Sequence, residues 1–397
     1  MNATFLRVLG AAALALLCTL PAAAQPARAP LLSARAWVLL DVPTGNTLTA
    51  HQAAQRQPPG DLVKLMNAYV TFLAIAEKRM TLDSEARISA AAFAAPGRDG
   101  ARMYVEPERS ATVRELLRGM LVAGGSDAAV ALAERAAGSQ AAFVDRMNAE
   151  ARRLGMDDTH FANVTGRLDP QQYSTARDLA RLAQRLLADF PQHVPLFGER
   201  EFVYNSIALA NRNRLLWSDS TVDGLMAAPL GGGVGSIVAT AARPRGQGKD
   251  AFERRLVAVV LAAPGEATLA QEALQLLNYG FTDYDTLRLY RAGTVLSRAE
   301  VWKGNRSEVP IGVTADVYVT LPVDDLLRLG ERGLRSDVER PDPLLAPLTR
   351  GAPVGRLRIT AKGETVGSAP VVALEGVAPA GPFGRAYDAV RLWWRRQ

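Results

Sequence analysis

A nucleophile, a metal site or a phosphate cradle each needs particular residue types at particular spacings, and this chain offers few of them. Its only cysteine is Cys18, and its three histidines, His51, His160 and His193, are scattered. One cysteine excludes a disulfide framework and a zinc cluster. Three isolated imidazoles leave metal catalysis without a ligand set. The sequence therefore calls for no metal and no cofactor. Gly231-Gly232-Gly233-Val234-Gly235 has the composition of a phosphate-binding loop, but no Lys-Ser/Thr follows it and the dinucleotide spacing is absent. A flexible turn before a strand is the simpler reading. There is no G-x-S-x-G elbow, so an α/β-hydrolase has no support.

The elements that would have to position a site come from composition and periodicity. The chain has 397 residues, 48% hydrophobic and 22% charged, too apolar for disorder and too charged for a multi-span membrane protein. That length suits two or three domains. Lys+Arg exceed Asp+Glu by 46 to 40, a formal charge of +6, spread too thinly to argue for nucleic acid. Arg7 precedes an apolar run from Val8 to Leu20, followed by Pro21 and Ala22-Ala23-Ala24. This reads as a signal peptide over residues 1–24, because the run falls short of the ~20 residues that span a bilayer. Leu17 argues against lipoprotein processing at Cys18, so the exported chain is expected to be free of cysteine and to begin near Gln25.

Residues 25–33 read as a Pro/Ala linker. Ala36–Asp41 reads as a strand, and helical spacing then dominates, through Val113–Met120, Asp127–Ala136, Ala141–Leu154 and Thr175–Leu187. Strands return at Ser236–Ala241 and Arg255–Ala262, and a helix of about a dozen residues is expected over Ala267–Leu277. After Tyr284 short alternating runs broken by Pro and Gly describe a small antiparallel β domain. The expected division is a first domain over 34–286, a β-rich domain over 287–378 and a terminal helix over 379–397. In that helix Trp393 and Trp394 lie opposite Arg385, Arg391, Arg395 and Arg396, a pattern suited to lying on anionic lipid.

Eight stretches then stand in a telling order: AWVLLDVPTGNTL, LVKLMNAYV, TVRELLRGMLV with DAAVALAE after it, YSTARDLARL, NRNRLL, TVDGL, RRLVAVVLAAP and LLNYGFTDYDT. Together they resemble the D-alanyl-D-alanine carboxypeptidases, the low-molecular-mass penicillin-binding proteins that trim peptidoglycan stem peptides. The resemblance runs from residue 34 to the end of the chain. It implies an α+β fold: a serine β-lactamase-like transpeptidase domain with helices around an antiparallel sheet, then a small β-rich domain and an amphipathic helix.

The resemblance also implies three motifs. In S-x-x-K the lysine activates a serine one helical turn away, and the aligned residues are Asp61-Leu62-Val63-Lys64. The lysine is kept; the serine is Asp61. In S-G-N, followed by Asp-Ala, the serine becomes Gly124 and the asparagine Ser126, with Asp127-Ala128 fixing the register. K-T-G becomes Met226-Ala227-Ala228, which offers neither charge nor hydroxyl to a substrate carboxylate. On this basis no catalytic set is intact. The expected protein is a non-catalytic relative in peptidoglycan maintenance, periplasmic and held at the inner membrane by Trp393, Trp394, Arg391 and Arg395. Its expected partner is peptidoglycan or a cell-wall enzyme, with no nucleic acid. Two alternatives stand beside it: an active carboxypeptidase with a rearranged site, using Ser126 as nucleophile, and a structural membrane-associated protein without a wall ligand.

Overall fold

Ala36–Asp41 (β1) is an inner strand of the first domain's sheet. Every residue of it is buried, with Ala36, Val38 and Leu40 facing one apolar core and Trp37 and Leu39 facing another. A strand buried on both faces needs layers on both sides, and this one has them. The computed structural model describes residues 29–98, 100–330 and 333–381. The expected signal peptide, the start of the linker and the terminal Trp/Arg helix, with Trp393, Trp394, Arg391 and Arg395, lie outside the described residues.

β1 pairs antiparallel with Thr47–His51 (β2) on one side. On the other side the order continues through Phe252–Pro264, Val234–Arg245 and Val222–Gly231, all antiparallel. In chain order these three are β3 (Val222–Gly231), β4 (Val234–Arg245) and β5 (Phe252–Pro264). β3 is thus an edge strand. It was not legible as a strand, because Gly224, Ala227, Ala228 and Pro229 have little β preference. Pro229 is tolerated because an edge strand has one side free of ladder bonds. Gly232 and Gly233, within the Gly231–Gly235 run, form the turn between β3 and β4.

Helices close the inner face. Val63–Ala76 (α1) is apolar nearly all round, with Val63 through Phe72 and Ala74 buried, the pattern of a central helix. Val113–Ala123 (α2) starts in a capping box: Thr112 Oγ1 accepts from the Glu115 amide at 3.2 Å, and the Glu115 carboxylate accepts from the Thr112 amide at 2.8 Å. Ser126–Ala137 (α3), Gln140–Arg153 (α4) and Ala176–Asp189 (α5) follow. The outer face is covered by Glu266–Asp283 (α6), 18 residues long. It outlasts the expected Ala267–Leu277 because Gly280, a poor helix former, packs against the sheet there. A Cβ at Gly280 would stand 2.7 Å from both Leu39 and Leu256 side chains, so the apparent breaker is what lets the helix continue in contact.

The β-rich part begins with Tyr284–Tyr290, which pairs with Val317–Pro322. Six more strands form a second sheet around a core of Val309, Ile311, Leu357 and Ile359. The two parts join at Asp41, fully buried at the end of β1. Its carboxylate accepts from the hydroxyls of Thr44 (2.7 Å), Thr286 (3.0 Å) and Thr320 (2.9 Å). No helix among the described residues is long and apolar enough to cross a membrane.

Candidate functional site

The site gathers where α1 begins. A short turn, Gly60–Leu62, leads into the helix and carries Asp61, while Lys64 occupies its first turn. Lys64 has no exposed surface at all; its Nζ lies 2.5 Å from Asp61 Oδ1. The other carboxylate oxygen accepts from Arg212 Nη1 at 3.0 Å. Asp61 therefore stands between two cations. Burial pushes the Lys64 ammonium below its usual value; the Asp61 charge opposes that push and Arg212 adds to it.

Two asparagines aim Arg212. The side chain of Asn211 donates to the Phe197 and Glu199 carbonyls at 3.2 and 2.8 Å, and that of Asn213 donates to the Gly224 carbonyl at 3.1 Å. Both are buried, so the loop between them is pinned and Arg212 projects from it, one third exposed. The sequence placed these residues in the NRNRLL stretch without giving Arg212 a role. Charge balance gives no signal for it, since Lys64 and Asp61 already neutralise each other.

Gly124 ends α2 in the left-handed region at φ +72°, where a side chain is strained. A Cβ there would lie 3.3 Å from Asp61 Oδ2 and 3.4 Å from Arg212 Cδ. The bare glycine thus gives the Asp61–Arg212 pair its space. Gly124, Asp61, Lys64 and Arg212 form one cluster.

The neighbouring residues do something else. Ser126 opens α3, and its amide donates to the Ala101 carbonyl at 2.8 Å. No hydrogen bond joins its hydroxyl to Lys64, whose ammonium is taken by Asp61. Asp127 is buried and accepts from the amides of Met103 (2.8 Å), Tyr104 (3.0 Å) and Ala128 (2.9 Å), tying the preceding loop to α3.

Met226, Ala227 and Ala228 lie on the edge strand β3. Met226 and Ala228 turn into the inner core and Ala227 into the outer one. Ala227, Ala228 and Pro229 also line a cleft of about 320 Å3 with Arg212, Arg214 and Glu266. The structure thus brings the first and second stretches together, and the strand of the third packs directly beside the Gly60–Leu62 turn, with Arg212 on the cleft that Ala227 and Ala228 line. No group of three or more His, Cys, Asp or Glu that could hold a metal occurs among the described residues.

A helical domain around an antiparallel sheet followed by a β-rich domain is the architecture of the penicillin-binding carboxypeptidases, and comparison with known proteins agrees. The family model described as D-alanyl-D-alanine carboxypeptidase matches residues 23–265, and the penicillin-binding protein 5 C-terminal domain matches residues 284–379. The D-alanyl-D-alanine carboxypeptidase DacC of Escherichia coli (strain K12) is 34% identical over 376 residues, 94% of this chain and 91% of that protein. DacA of Haemophilus influenzae is 31% identical over 360 residues, 90% and 89% of the two chains. The crystal structure of penicillin-binding protein 5 from Haemophilus influenzae superimposes with a TM-score of 0.78 at 29% identity, covering 88% of this chain and 99% of that one. The chain belongs to the D-alanyl-D-alanine carboxypeptidase family.

Proposed function

We propose that this member of the family is non-catalytic and serves cell-wall maintenance as a binding or scaffold protein at the periplasmic face of the inner membrane. Its partner is peptidoglycan or a cell-wall enzyme. The observation that carries the reading is Asp61 clamped between Lys64 and Arg212. Acyl transfer in the family needs a hydroxyl beside the lysine. Here a carboxylate fills that place and pairs with the lysine, and Gly124 adds no second hydroxyl to the cluster. Met226-Ala227-Ala228 presents only apolar groups where a substrate carboxylate would need a donor.

The relatives' names supply the substrate class, D-alanyl-D-alanine peptides, and with it the wall as the place of action. The hydrophobic N-terminal run supports export, and the Trp393/Trp394 face opposite arginines supports attachment to anionic lipid. The mature protein is expected to pellet saturably with purified sacculi. Absence of saturable pelleting, with no partner recovered among wall enzymes, would contradict the binding role. Removing residues 383–397 should release the protein from inner membranes without lowering its melting temperature; truncated protein that stays on the membrane would place the anchor elsewhere.

A further inference from the structure

Away from this cleft, the junction of the two domains holds a second one. It encloses about 300 Å3 and is lined by Arg243, Arg245, Arg254, Phe281, Tyr284 and Asp285, with Val323 of the second domain at its edge. Arg254, on β5, is only 3% exposed. Its Nε faces Asp41 Oδ1 at 3.4 Å and its Nη1 donates to the Tyr284 carbonyl at 2.6 Å, but its buried Nη2 has no partner. A buried guanidinium donor left unmatched is costly and uncommon.

The other two arginines also keep donors in reserve. Arg243 spends Nη2 on Asp219 (3.1 Å) and Asn278 (2.8 Å) and Nε on Thr221, leaving Nη1 unused. Arg245 engages Asp285 through Nε at 2.6 Å and through Nη2, again leaving Nη1 unused. The guanidinium carbons of Arg243 and Arg254 sit 4.3 and 5.5 Å from the centre of the same Phe281 ring. Each of the three guanidinium groups faces one carboxylate, Asp219, Asp285 and Asp41 respectively, so what the cleft offers is the donors those carboxylates leave unused. Unused guanidinium donors beside one cleft, one of them buried, favour an acceptor-rich group between them.

We propose that this junction is a binding site for a phosphate-type oxyanion, held by Arg243, Arg245 and Arg254. Several acceptor oxygens on one compact anion suit forked guanidinium donors. The ligand would touch β4, β5 and the first residue of the β-rich domain together, and so would stiffen the joint. Free phosphate and the phosphodiester of a lipid headgroup share this chemistry. The proposal does not depend on whether the Asp61 cluster is catalytic.

The test is calorimetric titration of the mature full chain with inorganic phosphate, alone and with phosphatidylglycerol vesicles present. The expected result is saturable binding with one site and a raised melting temperature. Arg243→Gln and Arg245→Gln should each weaken it by about tenfold, the scale of one lost charge-assisted contact, and Arg254→Gln should abolish it. Should Arg254→Gln fail to fold, the two exposed variants decide. Arg306→Gln, at a distant exposed pair with Glu375, should bind as the parent does. Loss of phosphate binding in the presence of vesicles would assign the site to headgroups, and its persistence to free phosphate. No saturable binding, or equal affinity in Arg243→Gln, Arg245→Gln and parent, would overturn the proposal.

Discussion

The start of α1 and the middle of β3 treat charge in opposite ways. At α1 the charge has stayed: Lys64 remains fully buried and is compensated by Asp61, which in turn holds Arg212. At β3 there is none: Met226, Ala227 and Ala228 are buried apolar residues that merge with the two cores on either side of the sheet. A lysine in the first turn of a buried helix cannot simply be left alone, because an unpaired interior cation is far more costly than an interior methyl group. An edge strand has no such constraint and can become ordinary packing.

The largest effect should come from breaking the charged region. Asp61→Ala leaves Lys64 buried without its partner, at a cost of about 3–5 kcal/mol in urea unfolding. The pH dependence has a definite sign. The folded-state value of Lys64 lies below its ordinary 10.5, so between those two values the unfolded chain binds more protons and stability rises with pH. Removing Asp61 lowers the folded value further and widens that window. The cost of Asp61→Ala should therefore shrink as pH climbs toward 10; a cost that is constant with pH, or absent, would show that Lys64 does not depend on this carboxylate.

Next comes the space left by Gly124. Gly124→Ser places a side chain in the left-handed region and against Asp61 and Arg212, for about 1–3 kcal/mol. In a double variant with Asp61→Ser the crowding should ease while the backbone strain persists, so the two costs should not add. Strict additivity would separate Gly124 from the cluster. At β3, by contrast, Met226→Leu conserves volume and should cost less than about 1.5 kcal/mol; a larger loss would show that Met226 does more than fill the core. The smallest effect is expected for Arg212→Ala, about 1 kcal/mol or less, because that pair is partly exposed. A loss of several kcal/mol would mean that Arg212 is as integral to folding as Lys64.

Local pattern made part of this arrangement legible. Asp61 and Lys64 sit three residues apart, which on a helix start puts them on one face, and the structure has them paired. The α+β architecture follows from the resemblance carried by the ordered stretches, and the periodicity of strands and helices agrees with it. Arg212 was hidden because its partner lies 151 residues away, and no local periodicity reports a contact across that separation. Asp127 was read only as a marker of register; its ties to the Met103 and Tyr104 amides depend on how a loop returns to α3. The strand β3 was obscured by its own glycine, alanine and proline content, and α6 by Gly280, whose value is close contact with Leu39 and Leu256 rather than propensity. In each case tertiary packing outweighed local preference.

A non-catalytic Asp61 cluster, as proposed above, holds no group that can form an acyl-enzyme. Intact-mass analysis of the mature protein after incubation with penicillin, with D-alanine release from a pentapeptide measured on the same sample, tests it most directly. The account predicts an unshifted mass and no D-alanine, and predicts that Asp61→Ser alone restores little, since residues of a catalytic unit act together. A covalent penicillin adduct on the unmodified chain would contradict it, and an adduct mapped to Ser126 would make that serine the nucleophile of a rearranged site.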